Sequence, residues 1–174
     1  MIRSFTGELV EPDSKFSRNV MFSSQTDEWE TPQDMFDSLD KEFHFTLDPC
    51  ATPENTKCEK YYTKEQNGLI QDWGGHVVFV NNPYSDNTKW VKKAYRESLK
   101  PDTTVVMLLP ARTDTKWFHN YCIKGTIWFI KGRLKFGGQE NSAPFPSMVV
   151  IWSSIDKQSK RTSVNSKRVR IDPK

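Results

Sequence analysis

An α/β sandwich with a mostly parallel sheet is the fold this sequence predicts. Two observations predict it. Apolar runs of strand length, Val77–Val80, Thr104–Leu109 and Met148–Trp152, alternate with segments whose apolar residues recur at helical spacing. The resulting order is helix, strand, irregular segment, strand, helix, strand, helix, strand, loop, strand, which is the pattern of one layered α/β domain.

Taken in order, residues 1–25 lack sustained periodicity and read as an N-terminal arm. Thr31-Pro32 is a helix-start signature, with threonine as N-cap and proline at the first helical position. Met35, Phe36, Leu39 and Phe43 follow on one face, so the helix covers about 32–43. Phe45-Thr46-Leu47-Asp48 is a short strand ending in Asp48-Pro49-Cys50-Ala51. From Thr52 to Gly75 the chain is irregular, with turn signals at Pro53, Asn67-Gly68 and Gly74-Gly75. Val77–Val80 is a central strand, and Trp90, Val91, Ala94, Tyr95 and Leu99 mark a helix over about 87–99 that Pro101 closes. Thr104–Leu109 is an apolar strand, and Trp117, Phe118 and Tyr121 a short helix after it. Thr126–Ile130 and Met148–Trp152 complete the set as an antiparallel hairpin at one edge, joined through the polar segment Gly132–Pro146.

With 174 residues the chain suits one compact domain, 26–154, followed by a basic tail over 155–174. The net charge is only +3, but Ser153–Lys174 holds seven Lys and Arg against two Asp, a local surplus of +5. Such a tail suits phosphate contacts through counterion release, or it merely solvates the terminus. No run of about 18 apolar residues suggests a membrane span, and no secretory leader is visible, so a cytoplasmic location is expected. Cys50, Cys58 and Cys122 cannot all pair, and no Cys-x-x-Cys accompanies them, which fits a reducing setting without zinc. His44, His76 and His119 lack metal-ligand spacing and are expected in solvated positions, so no metal is assigned.

The most informative segment is Asn81-Asn82-Pro83-Tyr84-Ser85, placed directly after Val77–Val80. In open α/β sheets ligands bind at the carboxyl ends of strands. An amide, a backbone carbonyl and an aromatic ring fixed there by a proline can hold a flat base by its amino group. An ordinary turn after a strand is the plainer alternative for Asn-Pro-Tyr. The segment resembles the Asn/Asp-Pro-Pro-Tyr motif of amino-methyltransferases, with Asn82 where the first proline is expected.

Five further segments extend that resemblance in the expected order. They are Trp29-Glu30-Thr31-Pro32, Phe45–Ala51, Leu109-Pro110-Ala111-Arg112-Thr113-Asp114, Gly132-Arg133-Leu134-Lys135-Phe136 and Ala143-Pro144-Phe145-Pro146-Ser147. Together, from about Trp29 to Trp152, the chain resembles the phage-type DNA N6-adenine methyltransferases, the Dam family. The resemblance implies a Rossmann-like fold, S-adenosylmethionine as methyl donor, a flipped adenine in DNA as substrate and the cytoplasm of a phage's host as setting. RNA stays open as an alternative substrate, and the oligomeric state is not readable. No insertion of target-recognition size is visible, so base selectivity falls to loops such as 132–146, the termini or a partner.

The same resemblance suggests roles. Adenine N6 is a poor nucleophile, and accepting both of its hydrogens improves it. The Asn81 side-chain carbonyl and the backbone carbonyl of Asn82 are the candidate acceptors, Pro83 fixes their direction, and Tyr84 stacks on the base. Asp48, Pro49, Cys50 and Ala51 are expected at the donor's amino-acid end, with Trp29, Thr31 and Pro32 as a second donor-binding segment. Asp48 could instead cap a neighbouring backbone group. Asp72 could meet the donor's adenine or be a turn aspartate, and Asn55 is a weaker candidate. Ser85, Arg112, Arg133 and Lys135 are expected near DNA, and Phe136 or Phe145 could stack on a base or belong to the core. Trp117, Phe118, Trp128, Phe129 and Trp152 are assigned to packing. Pro83 keeps Asn82 extended, but the missing ring leaves residue 82 less restrained and adds an amide that needs partners. A binding module descended from the enzyme, with impaired turnover, is the alternative function.

Overall fold

The computed structural model describes residues 2–3, 9–10, 29–137 and 142–154. Two short strands, β1 (Ile2–Arg3) and β2 (Leu9–Val10), pair antiparallel. The rest of the expected arm, the basic tail and positions 138–141 of the expected loop lie outside the described residues.

The main sheet contains four strands in the order β3-β4-β6-β5. Strand β3 (Val77–Val80) runs parallel to β4 (Thr104–Pro110), with Val77 opposite Thr104. Strand β6 (Ser147–Ser153) inserts antiparallel between β4 and β5 (Thr126–Phe129). The expected antiparallel hairpin is present, with β5 at the edge. A mostly parallel sheet is not: one parallel pair stands beside two antiparallel ones. The β5–β6 connection holds no helix among its described residues, whereas parallel pairing calls for a crossover that is usually a helix. The expected strand at Phe45–Asp48 is reduced to two isolated parallel bridges, Leu47 to Val78 and Asp48 to Tyr61. It still lies along β3, since Phe79 N–H donates to the Leu47 carbonyl at 2.9 Å.

Helices cover both faces. On one side α2 (Asn87–Glu97) and α3 (Lys116–Asn120) bring Trp90, Val91, Ala94, Trp117 and Phe118 against Val78, Val80, Val105, Met107, Met148 and Val150. On the other, α1 (Gln33–Phe43) sets Phe36 and Leu39 against Phe79, Val106, Leu108, Val149 and Ile151. Successive residues of β4 and β6 thus point into opposite cores, which is why these strands read as unbroken apolar runs. Each fully buried Leu, Val or Ile contributes about 1.5–3 kcal/mol relative to exposure. Trp117, Phe118 and Trp152 are buried as expected, and Trp128 is half-buried. Phe129 departs from its packing assignment, at 58% exposed, because it ends an edge strand.

Away from the strand tips, Glu97 is buried and ties α2 to the segment before β3. It accepts from Trp73 N–H at 2.8 Å, Lys93 at 2.8 Å and Lys100 at 2.7 Å. Burial alone would push this carboxyl up, but the bonds from Lys100, Lys93 and Trp73 outweigh it and hold the group below the usual range. Gly68 is required for a close approach, since a Cβ there would lie 2.0 Å from the Pro49 carbonyl oxygen.

Candidate active site

The carboxyl ends of β3, β4 and β5 and the start of β6 share one edge of the sheet, fixed by the register of their pairs. Asn81-Asn82, Ala111-Arg112, Ile130 and Pro146-Ser147 therefore meet at that edge. Ala111 N–H donates to the Pro146 carbonyl at 2.8 Å, and Ile130 N–H to the Ser147 carbonyl at 3.1 Å. The Leu47–Asp48 segment, parallel to β3, ends at the same side.

Consecutive residues at the β3 tip turn to opposite faces. Asn81 reaches the α1 side, where its Nδ2 donates to the Trp29 carbonyl and, at 2.9 Å, to Thr31 Oγ1. A peptide carbonyl can only accept, so this pairing fixes which end of the amide is nitrogen. Both amide hydrogens are thereby used, and Asn81 Oδ1 is buried without a partner. Asn82 reaches the α2 side, where it is buried and donates to the Asn87 Oδ1 at 3.0 Å and the Pro83 carbonyl at 2.7 Å. Its amide does not engage Asn81.

Buried side-chain polar atoms without a partner, among the described residues, are Asn81 Oδ1, Asn82 Oδ1, Tyr84 Oη and Ser147 Oγ. All belong to residues at this one edge. An unsatisfied buried group costs about 1–3 kcal/mol, so their concentration at strand tips marks a place built for something other than stability. Sequence reasoning assigned no role to Ser147; its only signal was a place in the Ala143–Ser147 segment.

An aromatic cluster walls the Asn81 side. Tyr84 meets Phe145 edge-on at 5.5 Å and Phe136 at 6.4 Å, while Trp29 packs against both phenylalanines at 5.3 Å. Burial pushes the Tyr84 phenol well above its ordinary value, which keeps it neutral. Phe136 is 1% exposed, so its ring is engaged in packing and offers no face to a base, contrary to the stacking role considered for it. Phe145 is half-buried.

Asp48 is 5% exposed, and burial raises its carboxyl to about 6 against the pull of the Cys50 and Lys57 backbone N–H groups and the Lys57 charge. Its bond to Cys50 N–H, at 3.2 Å, is the local cap the sequence also allowed. Pro49 and Ala51 are buried beside it, and Cys50 is half-buried. Thr31 does not cap α1; the cap position is Pro32, without a side-chain bond, because the threonine hydroxyl is used by Asn81. Asn55 caps a local turn through Thr52 N–H at 2.7 Å.

Asp72 is not brought to this edge. It precedes β3 at the opposite end, where it accepts from Gly74 N–H and from Lys100 at 2.7 Å. Those bonds, that from Lys100 foremost, hold its carboxyl down to about 2, so it is a turn aspartate. Ser85 and Arg112 are exposed beside the β3 and β4 tips. Beyond β5, Leu134 and Phe136 are buried while Arg133 and Lys135 are exposed, an alternation that turns both cations outward. His44 and His119 are exposed and His76 is half-buried. No helix of the described residues is long and apolar enough to cross a membrane.

The chain is similar in sequence to known proteins. The family described as DNA N-6-adenine-methyltransferase (Dam) matches residues 19–173, a span that includes most of the basic tail. A DNA N-6-adenine-methyltransferase of Haemophilus phage HP1 is 34% identical over 139 residues, covering 74% of this chain and 80% of that protein. A DNA N-6-adenine-methyltransferase of Escherichia phage T1 is 39% identical over 94 residues, covering 53% of this chain and 39% of the phage protein. On the breadth of these matches, the chain belongs to the DNA N-6-adenine-methyltransferase (Dam) family.

Proposed function

We propose that this protein methylates the exocyclic N6 of adenine in DNA, with S-adenosylmethionine as donor and the β3 tip as the catalytic element. The observation that carries the reading is Asn81 Oδ1, a buried acceptor left open because both hydrogens of the same amide are committed. An amino group brought against it donates one N–H hydrogen bond to Oδ1, and the Asn82 carbonyl, directed by Pro83, accepts the second. Held by both bonds, the nitrogen moves toward tetrahedral geometry and localises its lone pair as its bond to the methyl forms and the donor's sulfur–methyl bond breaks. The cationic methylamino group then releases one proton to water. The effect is preorganised electrostatics, with no side chain changing protonation. Tyr84, kept neutral by burial, serves as the surface against which a flipped base stacks.

The donor fits the chemistry of Asp48. Its buried carboxylate lacks full compensation, which an ammonium group would supply, and Pro49, Cys50, Ala51, Trp29, Thr31 and Pro32 flank the same edge. Bound S-adenosylmethionine supplies an electrophilic methyl group. Ser85, Arg112, Arg133 and Lys135 would contact DNA, and the tail over 155–174 would add phosphate contacts. On this reading, and with phage proteins among its relatives, we assign the protein to the cytoplasm of a bacterial host.

Label transfer from tritiated donor to adenine-containing duplexes tests the proposal, with single-stranded RNA as a parallel substrate. Absence of transfer to every DNA sequence would refute it. The impaired-enzyme alternative is motivated by Asn82, but that amide is bonded to Asn87 on the far face and leaves Asn81 undisturbed. Donor binding measured by calorimetry without any transfer would favour that alternative.

A further inference from the structure

We propose that Thr31 is a positioning residue for the methyl transfer, acting through Asn81 to aim its carbonyl oxygen at the adenine amino group. The inference deepens the proposed function and rests on it for its kinetic consequence. The segment Trp29–Pro32 was expected to serve the donor, yet its polar contacts at the β3 tip are with the catalytic amide.

Thr31 is 4% exposed and stands 50 residues from Asn81 in sequence. Its place before α1 would suit a capping role, but its hydroxyl makes no cap bond there. Instead Oγ1 lies 2.9 Å from Asn81 Nδ2. The two hydrogens of the amide are held by different means. The Trp29 carbonyl prevents an end-for-end flip, because a flip would set oxygen against oxygen. That single bond leaves the amide free to rock about its Cβ–Cγ axis. The second bond, to Thr31, removes the rocking and so sets the direction of Oδ1.

Threonine suits this task. A β-branched side chain is stiff about its first torsion, so its hydroxyl is held in place before any substrate arrives. Replacing it with valine keeps the shape but leaves a buried amide hydrogen without an acceptor, which drives the amide to turn in search of one. Oδ1 turns with it.

The test uses the full chain in parallel kinetic and spectroscopic arms, comparing Thr31→Val, Thr31→Ala and Thr31→Ser. Misplacement of a reacting group on the order of 1 Å costs about a hundredfold in rate, so Val and Ala are expected to lower kcat by roughly tenfold to a hundredfold. KM for donor and DNA should move by less than about threefold, because the interaction is made in the transition state. Serine, which retains the acceptor, should restore most of the rate. Unchanged kcat in Val and Ala, or a loss confined to donor KM, would overturn the proposal.

The spectroscopic arm does not depend on turnover. In protein labelled with 15N at asparagine, the Asn81 side-chain resonances are expected to shift upfield in the Val or Ala variant and not in Ser. Unchanged resonances would overturn the assignment even if the wild type methylates nothing. The alanine variant stands in should valine fail to fold.

Discussion

Replacing Asp48 with asparagine is expected to stabilise the fold at neutral pH while weakening donor binding. Asp48 is 5% exposed, and burial raises its carboxyl from 3.8 to about 6. At about 1.4 kcal/mol per pH unit, that rise corresponds to roughly 3 kcal/mol. Its sign follows from linkage. A carboxyl raised in the folded state binds its proton more tightly there, so its stabilising contribution is complete below the unfolded value and is lost as pH rises through about 6. Above that, the wild type carries a buried charge. Asparagine carries none, and its carbonyl can still accept from Cys50 N–H. Urea unfolding of both proteins between about pH 4 and pH 7 should therefore show the variant gaining up to about 3 kcal/mol relative to wild type as the pH rises. Calorimetry with S-adenosylmethionine should show the opposite preference, the wild type binding better at neutral pH. A stability difference that stays flat across this range would refute the reasoning.

Three other perturbations separate site from scaffold. Asn82→Pro should lower stability by about 1 kcal/mol in urea unfolding, because the orphaned Asn87 amide, at about 1–3 kcal/mol, outweighs a gain of about 0.4–1 kcal/mol from chain stiffening. A stabilised variant would show that the Asn82–Asn87 bond contributes little. Glu97→Ala leaves Trp73 N–H without its acceptor and strips Lys93, which keeps the Gln71 carbonyl, of its counter-ion; it should cost about 3–5 kcal/mol in urea unfolding without changing donor affinity in the protein that remains folded. In the wild type, the depressed Glu97 carboxyl contributes stability above its unfolded value of 4.5 that is lost as pH falls through the lower folded value. Neutralising Arg133 and Lys135 together should weaken binding to all duplexes alike and reduce the salt slope by about 2, measured by titration at several salt concentrations.

Elements were more legible than their partners. Met35, Phe36, Leu39 and Phe43 announce α1 because helical burial leaves a period in the sequence. The run Met148–Trp152 announces a strand buried on both faces, and its antiparallel pairing with β5 was legible, but nothing in it marks its second neighbour, so its insertion beside β4 was hidden. Phe129 looked like core because hydrophobicity reports preference, whereas exposure depends on whether a layer covers that end of β5. At the site, Asn81 was legible from its tip position and family resemblance. Its dependence on Thr31 was not, since a hydroxyl before a helix reads as a cap until the fold brings a competing donor to it. Asp72 failed for the reverse reason: its turn partners Gly74 and Lys100 lie at the wrong end of the sheet for a ligand, and no local pattern encodes which end that is.

The insertion of β6 also orders events during synthesis. Strands β3 and β4 can pair once Pro110 has emerged, but the other edge of β4 waits through the 36 residues from Ala111 to Pro146 before its partner is made. At about 5–20 residues per second that is an interval of seconds, in which a seven-residue apolar edge has no intended neighbour. Strand β5 emerges within that interval and cannot cap β4 itself, because it pairs with β6 alone. A nascent chain stopped before Ser147 therefore exposes a template for association with other chains.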